Sequence, residues 1–389
     1  MSTYNFDKVL NRTNTASIKW EQLKKVFGTE DVLPMWVADM DFEPPHEVAA
    51  AIRKRLEHEI IGYTFVPPST GESIQHWLKK RHDWDIDTSW ISYATGIVPA
   101  ISTAIQAFTE PGDKVLVQSP VYDPFFKMIE KNHRTVVNSP LLLVNNHYEI
   151  NFEQFEAKLK EGVKLFINCS PHNPGGRVWT KEELTKMADL CYQYNCLFLS
   201  DEIHSDLIYA PHVHIPVAKL GSKYQDMIIT CIAPTKTFNL AGLKASAVII
   251  SNRKLRQSFQ DVQALNGTSA INTFGIVGME AAYRYGSSWL DALLAYLQRN
   301  VDEATAFIHD NLPSIEVMQP EGTYLLWLNL RKLHLGDSEI RKLLINRGKL
   351  GLESGNKYGP GGEGFVRMNI ACPRDILKDG LNRLKQALI

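Results

Sequence analysis

The chain has 389 residues, enough for two or three domains' worth of material and a large buried core. Lys and Arg together number 42 against 43 Asp and Glu, and the formal net charge of -1 gives no global attraction to nucleic acid or to an anionic membrane. Any anion site must therefore be local.

The amino terminus, "MSTYNFDKVLNRTNTASIKW", is polar where a signal peptide carries an apolar segment. No window reaches the apolar length of a membrane span, so a cytoplasmic location is expected. The five cysteines, Cys169, Cys191, Cys196, Cys231 and Cys372, are odd in number and lack zinc-ligand spacing, which points to reduced, buried thiols and no metal site.

From about residue 92 to 250, short apolar runs alternate with helical patterns. The runs "KVLVQ" (114–118), "VKLFINCS" (163–170), "CLFLSDE" (196–202), "MIITCIA" (227–233) and "SAVIIS" (246–251) are apolar on both faces, as buried strands are. Between them "TKEELTKMADLCYQYN" is helical, with Thr180 and Glu183 at the spacing of a capping box. The alternation predicts an α/β domain with a mostly parallel sheet. The last hundred residues have long helical patterns, a strand-like "TYLLWLNL", and the Gly-rich loop "YGPGGEGF" leading into "VRMNIA", the pattern of a smaller α+β domain. The two parts are expected to pack closely.

Ligands of open parallel sheets gather at the carboxyl ends of the strands, so the polar residues just after each apolar run matter most. "ISYATGIVPAISTAIQAF" places Thr95, Gly96, Ile97 and Val98 at a helix amino terminus, where free N–H groups and the helix dipole favour a phosphate. "PHNPGGRVW" presents Asn173 from a loop fixed by two prolines and two glycines. "CLFLS" ends at Asp201, whose carboxylate needs a partner if buried, with His204 three residues on. "MIITCIA" runs into "PTKTFNLAGLK", with Thr235, Lys236 and Lys244. Each has an ordinary alternative role: turn former, helix cap or solvated lysine. Four polar strand ends in succession match one cofactor. Pyridoxal phosphate needs an amine, a carboxylate for its ring nitrogen, a donor to its phenolate oxygen and an anion cradle.

The ordered set "PHNPGG", "SDEIHSDL", "PTKTFN" and "AGLK" resembles fold-type I pyridoxal-phosphate enzymes, the aspartate aminotransferase superfamily. "PMWVADMDF" (34–42), "GYTFVPPSTG" (62–71) and "YGPGGEGFVRMNIACPR" (358–374) are similar to the branch of cystathionine beta-lyases and related carbon-sulfur lyases. The resemblance runs through nearly the whole chain. It implies a large domain over 50–285 with a mostly parallel seven-stranded sheet flanked by helices, and a small α+β domain from 1–49 and 286–389.

Carried over by position, the resemblance makes Lys236 the Schiff-base lysine and the carrier of the substrate's α proton. It sets Asp201 on the pyridinium nitrogen, Asn173 on the phenolate oxygen, and Thr235, Lys244 and the backbone of Gly96, Ile97 and Val98 on the phosphate. Tyr122 would stack on the ring, and Tyr63 would reach the phosphate from a partner subunit, which implies a homodimer with shared active sites. Arg367 would hold the substrate's α-carboxylate as a bidentate pair, with the Ala38 backbone near it. Two positions depart from the aminotransferase pattern. His204 stands where a tyrosine usually touches the phenolate oxygen, and Lys244 stands where many have an arginine.

The implied activity is α,β-elimination on L-cystathionine, L-cysteine or another S-substituted cysteine, giving pyruvate, ammonia and a thiol. Transamination on the same fold, or a second role as regulator of a transcription factor, is the alternative. Trp36, Tyr122 and Tyr324 are the side chains expected to tune substrate choice.

Overall fold

The computed structural model describes residues 4–389, so the first three residues of the expected small domain lie outside the described part. Seven strands form the main sheet: β1 (Ile91–Ala94), β2 (Lys114–Val117), β3 (Thr135–Asn138), β4 (Leu165–Cys169), β5 (Leu197–Asp201), β6 (Ile228–Ile232) and β7 (Ser246–Ile249). Their spatial order is β1-β7-β6-β5-β4-β2-β3. The pairs β2/β3, β2/β4, β4/β5 and β5/β6 are parallel, whereas β7 runs antiparallel to both β6 and β1. The mostly parallel sheet expected from the alternating runs is therefore present, each strand slightly shorter than its apolar run.

Every residue of β4, β6 and β7 is buried, which is why their sequences are continuously apolar rather than alternating. The helix Lys181–Gln193 opens with the expected capping box. Thr180 Oγ1 accepts the Glu183 N–H at 3.2 Å, and Glu183 Oε2 accepts the Thr180 N–H at 2.8 Å.

A second, antiparallel sheet comprises β8 (Glu316–Met318), β9 (Leu325–Asn329), β10 (Glu353–Ser354) and β11 (Phe365–Asn369), in the order β8-β9-β11-β10. The long helix Ser287–Asn311 and the helices Asp337–Asn346 and Arg374–Leu388 accompany it. The amino-terminal segment joins this part of the molecule, because Leu33 and Pro34 pair in parallel with Leu350 and Gly351. One core cluster runs from Ile232 and Ile249 of the main sheet to Leu326 and Met368 of the second, so the two sheets share buried apolar surface. The five cysteines are free and buried. Among the described residues no helix is long and apolar enough to cross a membrane.

Candidate active site

The carboxyl ends of the central strands open into a cleft of about 540 Å³, within the usual size range of small-molecule sites. Its lining unites residues scattered from position 36 to position 367, including Thr95, Gly96, Ile97, Val98, Tyr122, Asn173, Asp201, His204, Thr235, Lys236, Lys244 and Arg367. Of the residues singled out in the sequence, only Tyr63 and Tyr324 are absent from this lining.

Asp201 is the last residue of β5 and is 3 % exposed. Its carboxylate accepts one N–H, from Ile203 at 3.2 Å. Burial pushes its pKa up to about 7, against the lowering effects of that hydrogen bond and of Lys236. A carboxylate so placed calls for a cation.

Lys236 lies in the short helical turn Pro234–Thr237 directly after β6. Its Nζ donates to the Ala38 carbonyl at 2.6 Å. Burial and then the nearby Arg367 cation bring the amine down to about 8. It therefore loses its proton far more readily than a solvated lysine.

Arg367, on β11, is 4 % exposed. Nη1 donates to Asn173 Oδ1 at 3.0 Å and Nη2 to the Trp36 carbonyl at 2.9 Å, while Nε is buried without a partner. The Tyr358 ring lies under the guanidinium at 5.3 Å. Because Oδ1 of Asn173 is occupied, its amide NH2 is the group left to donate into the cleft.

Gly96, at φ +144, precedes the helix Ile97–Phe108, and no side chain caps the first N–H groups of that helix. The amides of Ile97 and Val98 thus start a twelve-residue helix at the cleft wall, where an anion is favoured. Lys244, in the left-handed region at φ +50, is exposed and lines the same cleft, as does the largely buried Thr235.

Tyr122 also lines the cleft; its hydroxyl is pushed up to about 12 by burial and then by Asp201. His204 is buried with Nδ1 unpartnered, and burial, Lys236 and Arg367 all hold it neutral. Its ring meets Tyr324 edge-on at 6.0 Å, so Tyr324 stands behind His204 and reaches the site by donating to the Ala38 carbonyl at 3.0 Å.

These residues fit pyridoxal phosphate. A buried carboxylate lacks a cation, an amine has a lowered pKa, an amide NH2 is available, and uncapped N–H groups face the same space as Lys244. Tyr63 is fully exposed and is not brought to the cleft by its own chain.

Several positioning residues escaped the sequence reading. Asn369 Nδ2 donates to the carbonyls of Val37 and Asp39, both at 2.6 Å. Its spacing of two from Arg367 on a strand, which puts both on one face, is the signal that could have found it. Asn239 holds both the N–H and the carbonyl of Met40, at 3.0 and 2.9 Å. Charged residues of the cleft lining, Asp123, Lys127, Glu353 and Lys357, had no local signature.

The aminotransferase class I and II family matches residues 30–384. The chain is 46 % identical to the cystathionine beta-lyase PatB of Bacillus subtilis over 385 residues, covering 99 % of this chain and all of that protein. A pyridoxal-phosphate-bound protein of Clostridium difficile, provisionally named an aminotransferase, superposes with a TM-score of 0.98 at 45 % identity, over 99 % of this chain and 100 % of that one. The pyridoxal-phosphate-bound carbon-sulfur lyase of Staphylococcus hominis superposes with a TM-score of 0.93 at 34 % identity, over 99 % of this chain and 98 % of that one.

Proposed function

The chain belongs to the aminotransferase class I and II family, and from that premise we propose that it is a pyridoxal-phosphate-dependent carbon-sulfur β-lyase. Its substrates are L-cystathionine, L-cysteine or related S-substituted cysteines. One thioether and one water give one thiol, one pyruvate and one ammonium. The observation that carries this reading is full-length 46 % identity to a cystathionine beta-lyase, joined to a cleft in which Lys236, Asp201, Asn173 and Arg367 converge.

Bound at Lys236, the cofactor supplies the electron sink for the pair left when the α C–H bond breaks. Arg367 binds the substrate carboxylate through its fork, with Nε still free to donate. Asp201 would pair with the ring nitrogen, and a positive charge there would favour the ionised form of its buried carboxylate. The substrate's amine would displace Lys236 from the cofactor; the Nζ so freed, with its lowered pKa, would take the α proton, and the sulfur would leave from the β carbon with the C–S bonding pair. Thiolate is a good leaving group, so the protein's main tasks are alignment and delivery of the proton at Nζ. Asn173 would donate to the phenolate oxygen; Thr235, Lys244 and the Gly96–Val98 turn would hold the phosphate, and Tyr122 would cover the ring. His204, kept neutral, would meet that oxygen as a hydrogen-bonding rather than a charged neighbour.

The protein acts as a cytoplasmic homodimer in which Tyr63 completes the partner's phosphate site. Full exposure of Tyr63 beside exposed Ile60, Ile61 and Phe65 supports this, since such an apolar run is unfavourable in water unless covered. The division into a large domain over 50–285 and a small domain from 1–49 and 286–389 is retained as the resemblance implies it.

Incubation of the yellow holoenzyme with L-cystathionine and with L-cysteine tests the function. Pyruvate and thiol in equal amounts are expected. Exchange with an added 2-oxo acid and no pyruvate would make it an aminotransferase instead.

A further inference from the structure

The reacting amino acid and the cofactor account for Lys236, Asp201, Asn173 and Arg367, but the lining of the same cleft carries four charged side chains that the elimination does not use, among them Glu353, paired across the strands with Arg367. Asp123 and Lys127, at the start of the helix Pro124–Lys131, form one ion pair. Glu353 of β10 and Lys357 of the following turn form another at 3.0 Å. The first pair comes from the main-sheet part of the molecule and the second from the second sheet, yet both line the cleft that holds Lys236 and Arg367.

The two pairs share an asymmetry. The carboxylates are the more enclosed partners, 18 % exposed for Asp123 and 14 % for Glu353, whereas the lysines are 55 % and 44 % exposed. The carboxylates are thus set in the walls, and the lysines are free to swing. Exposed ion pairs contribute little net stability, so opening one for a ligand is inexpensive. Arg367, buried and committed to the α-carboxylate, does not compete for a second charged group.

We propose that these two ion pairs form a subsite for the group beyond sulfur, and that it selects substituents bearing both an ammonium and a carboxylate, a second amino-acid head joined through the thioether. This rests on the lyase reading above. The ammonium takes the place of a lysine at Asp123 or Glu353, the displaced lysine takes the carboxylate, and no charge is left unpaired. A singly charged substituent leaves one protein charge without its partner. An apolar substituent strips water from both pairs and returns nothing.

The test uses the holoenzyme with four substrates: L-cystathionine, S-ethyl-L-cysteine, S-carboxymethyl-L-cysteine and S-(2-aminoethyl)-L-cysteine, with pyruvate as the readout. The wild type is expected to favour L-cystathionine over the S-ethyl compound by at least about tenfold in kcat/KM. Lys127→Ala with Lys357→Ala is expected to lower that ratio about tenfold, and Lys127→Arg with Lys357→Arg to restore most of it. Lys127→Glu with Lys357→Glu is expected to move preference from the carboxymethyl to the aminoethyl compound. A wild-type ratio near one, or ratios indifferent to the alanine and glutamate substitutions, overturns the subsite while leaving the lyase reading intact. Absence of pyruvate from all four substrates overturns both.

Discussion

Lys236 Nζ donates to the carbonyl oxygen of Ala38 at 2.6 Å, across 198 residues of sequence. Ala38 belongs to a strap, residues 36–40, gripped along its length by side chains from other elements. Arg367 takes the Trp36 carbonyl, Asn369 those of Val37 and Asp39, Tyr324 that of Ala38, and Asn239 that of Met40. Behind the strap, Lys19 Nζ pairs with Asp41 at 2.6 Å and Arg12 bridges Asp39 and Asp41. The Lys236 amine, next to the main sheet, and the Arg367 guanidinium of the second sheet are thereby fixed to one backbone segment.

Lys236→Ala removes the group assigned both to hold the cofactor and to move the α proton. Turnover of L-cystathionine is expected to fall by about 10³-fold or more. Borohydride treatment of the holoprotein is expected to attach the cofactor covalently in the wild type and not in the variant. Retained turnover in the variant would remove Lys236 from the mechanism.

Asp201 and Lys236 make opposite contributions to the pH dependence of stability in the cofactor-free protein. Asp201 rises from 3.8 to about 7, so between those values the folded chain keeps a proton that the unfolded chain has lost. Its contribution is therefore present below pH 3.8 and is lost as pH rises through 7. Lys236 falls from 10.5 to about 8, so the unfolded chain binds more protons in that window, and stability recovers as pH rises from 8 towards 10.5. Urea midpoints are expected to dip near neutral pH. Asp201→Asn is expected to abolish the acid-side decline, which amounts to at most about 4 kcal/mol, while weakening cofactor binding. A decline that persists in the variant would assign it to another group.

Arg367→Lys keeps the charge but loses the planar fork that binds Asn173 and the Trp36 carbonyl and that we propose takes the substrate carboxylate. Steady-state kinetics on L-cystathionine are expected to show kcat/KM reduced by about 10- to 100-fold, largely through KM. An unchanged KM would move carboxylate binding elsewhere.

Asp41→Ala is expected to cost about 3 kcal/mol in urea denaturation, because it leaves Lys19, 1 % exposed, with only the more distant Asp39 carboxylate at 4.0 Å. Burial alone would raise the Asp41 carboxyl, but Lys19, Trp20 and Arg12 together hold it below its ordinary value. Lys19→Met combined with Asp41→Leu is expected to be less destabilised than Asp41→Ala. A double variant that is worse would argue against the poorly compensated Lys19 charge as the cause.

Asp201, Asn173 and Lys236 were legible because Asp201 ends an apolar strand and the other two follow one within a few residues, so local sequence places them at the sheet's carboxyl edge. Thr180 and Glu183 were legible for the same reason, since a capping box spans four residues. The reversed direction of β7 was not, because an apolar run buried on both faces carries no sign of orientation. Arg367 and Ala38 entered only through family resemblance. Their meeting depends on the pairing of Leu33–Pro34 with Leu350–Gly351, a contact across more than three hundred residues that no local pattern encodes. Glu353 sits on a strand of two residues, too short to leave any periodic trace.

A single turnover of the holoenzyme with one equivalent of L-cystathionine, and no 2-oxo acid present, tests the central claim most directly. The account requires homocysteine, pyruvate and ammonia in equal amounts, with the cofactor's absorption returning to its starting form. A cofactor left in its amine form, with the sulfur retained in a 2-oxo acid, would contradict it.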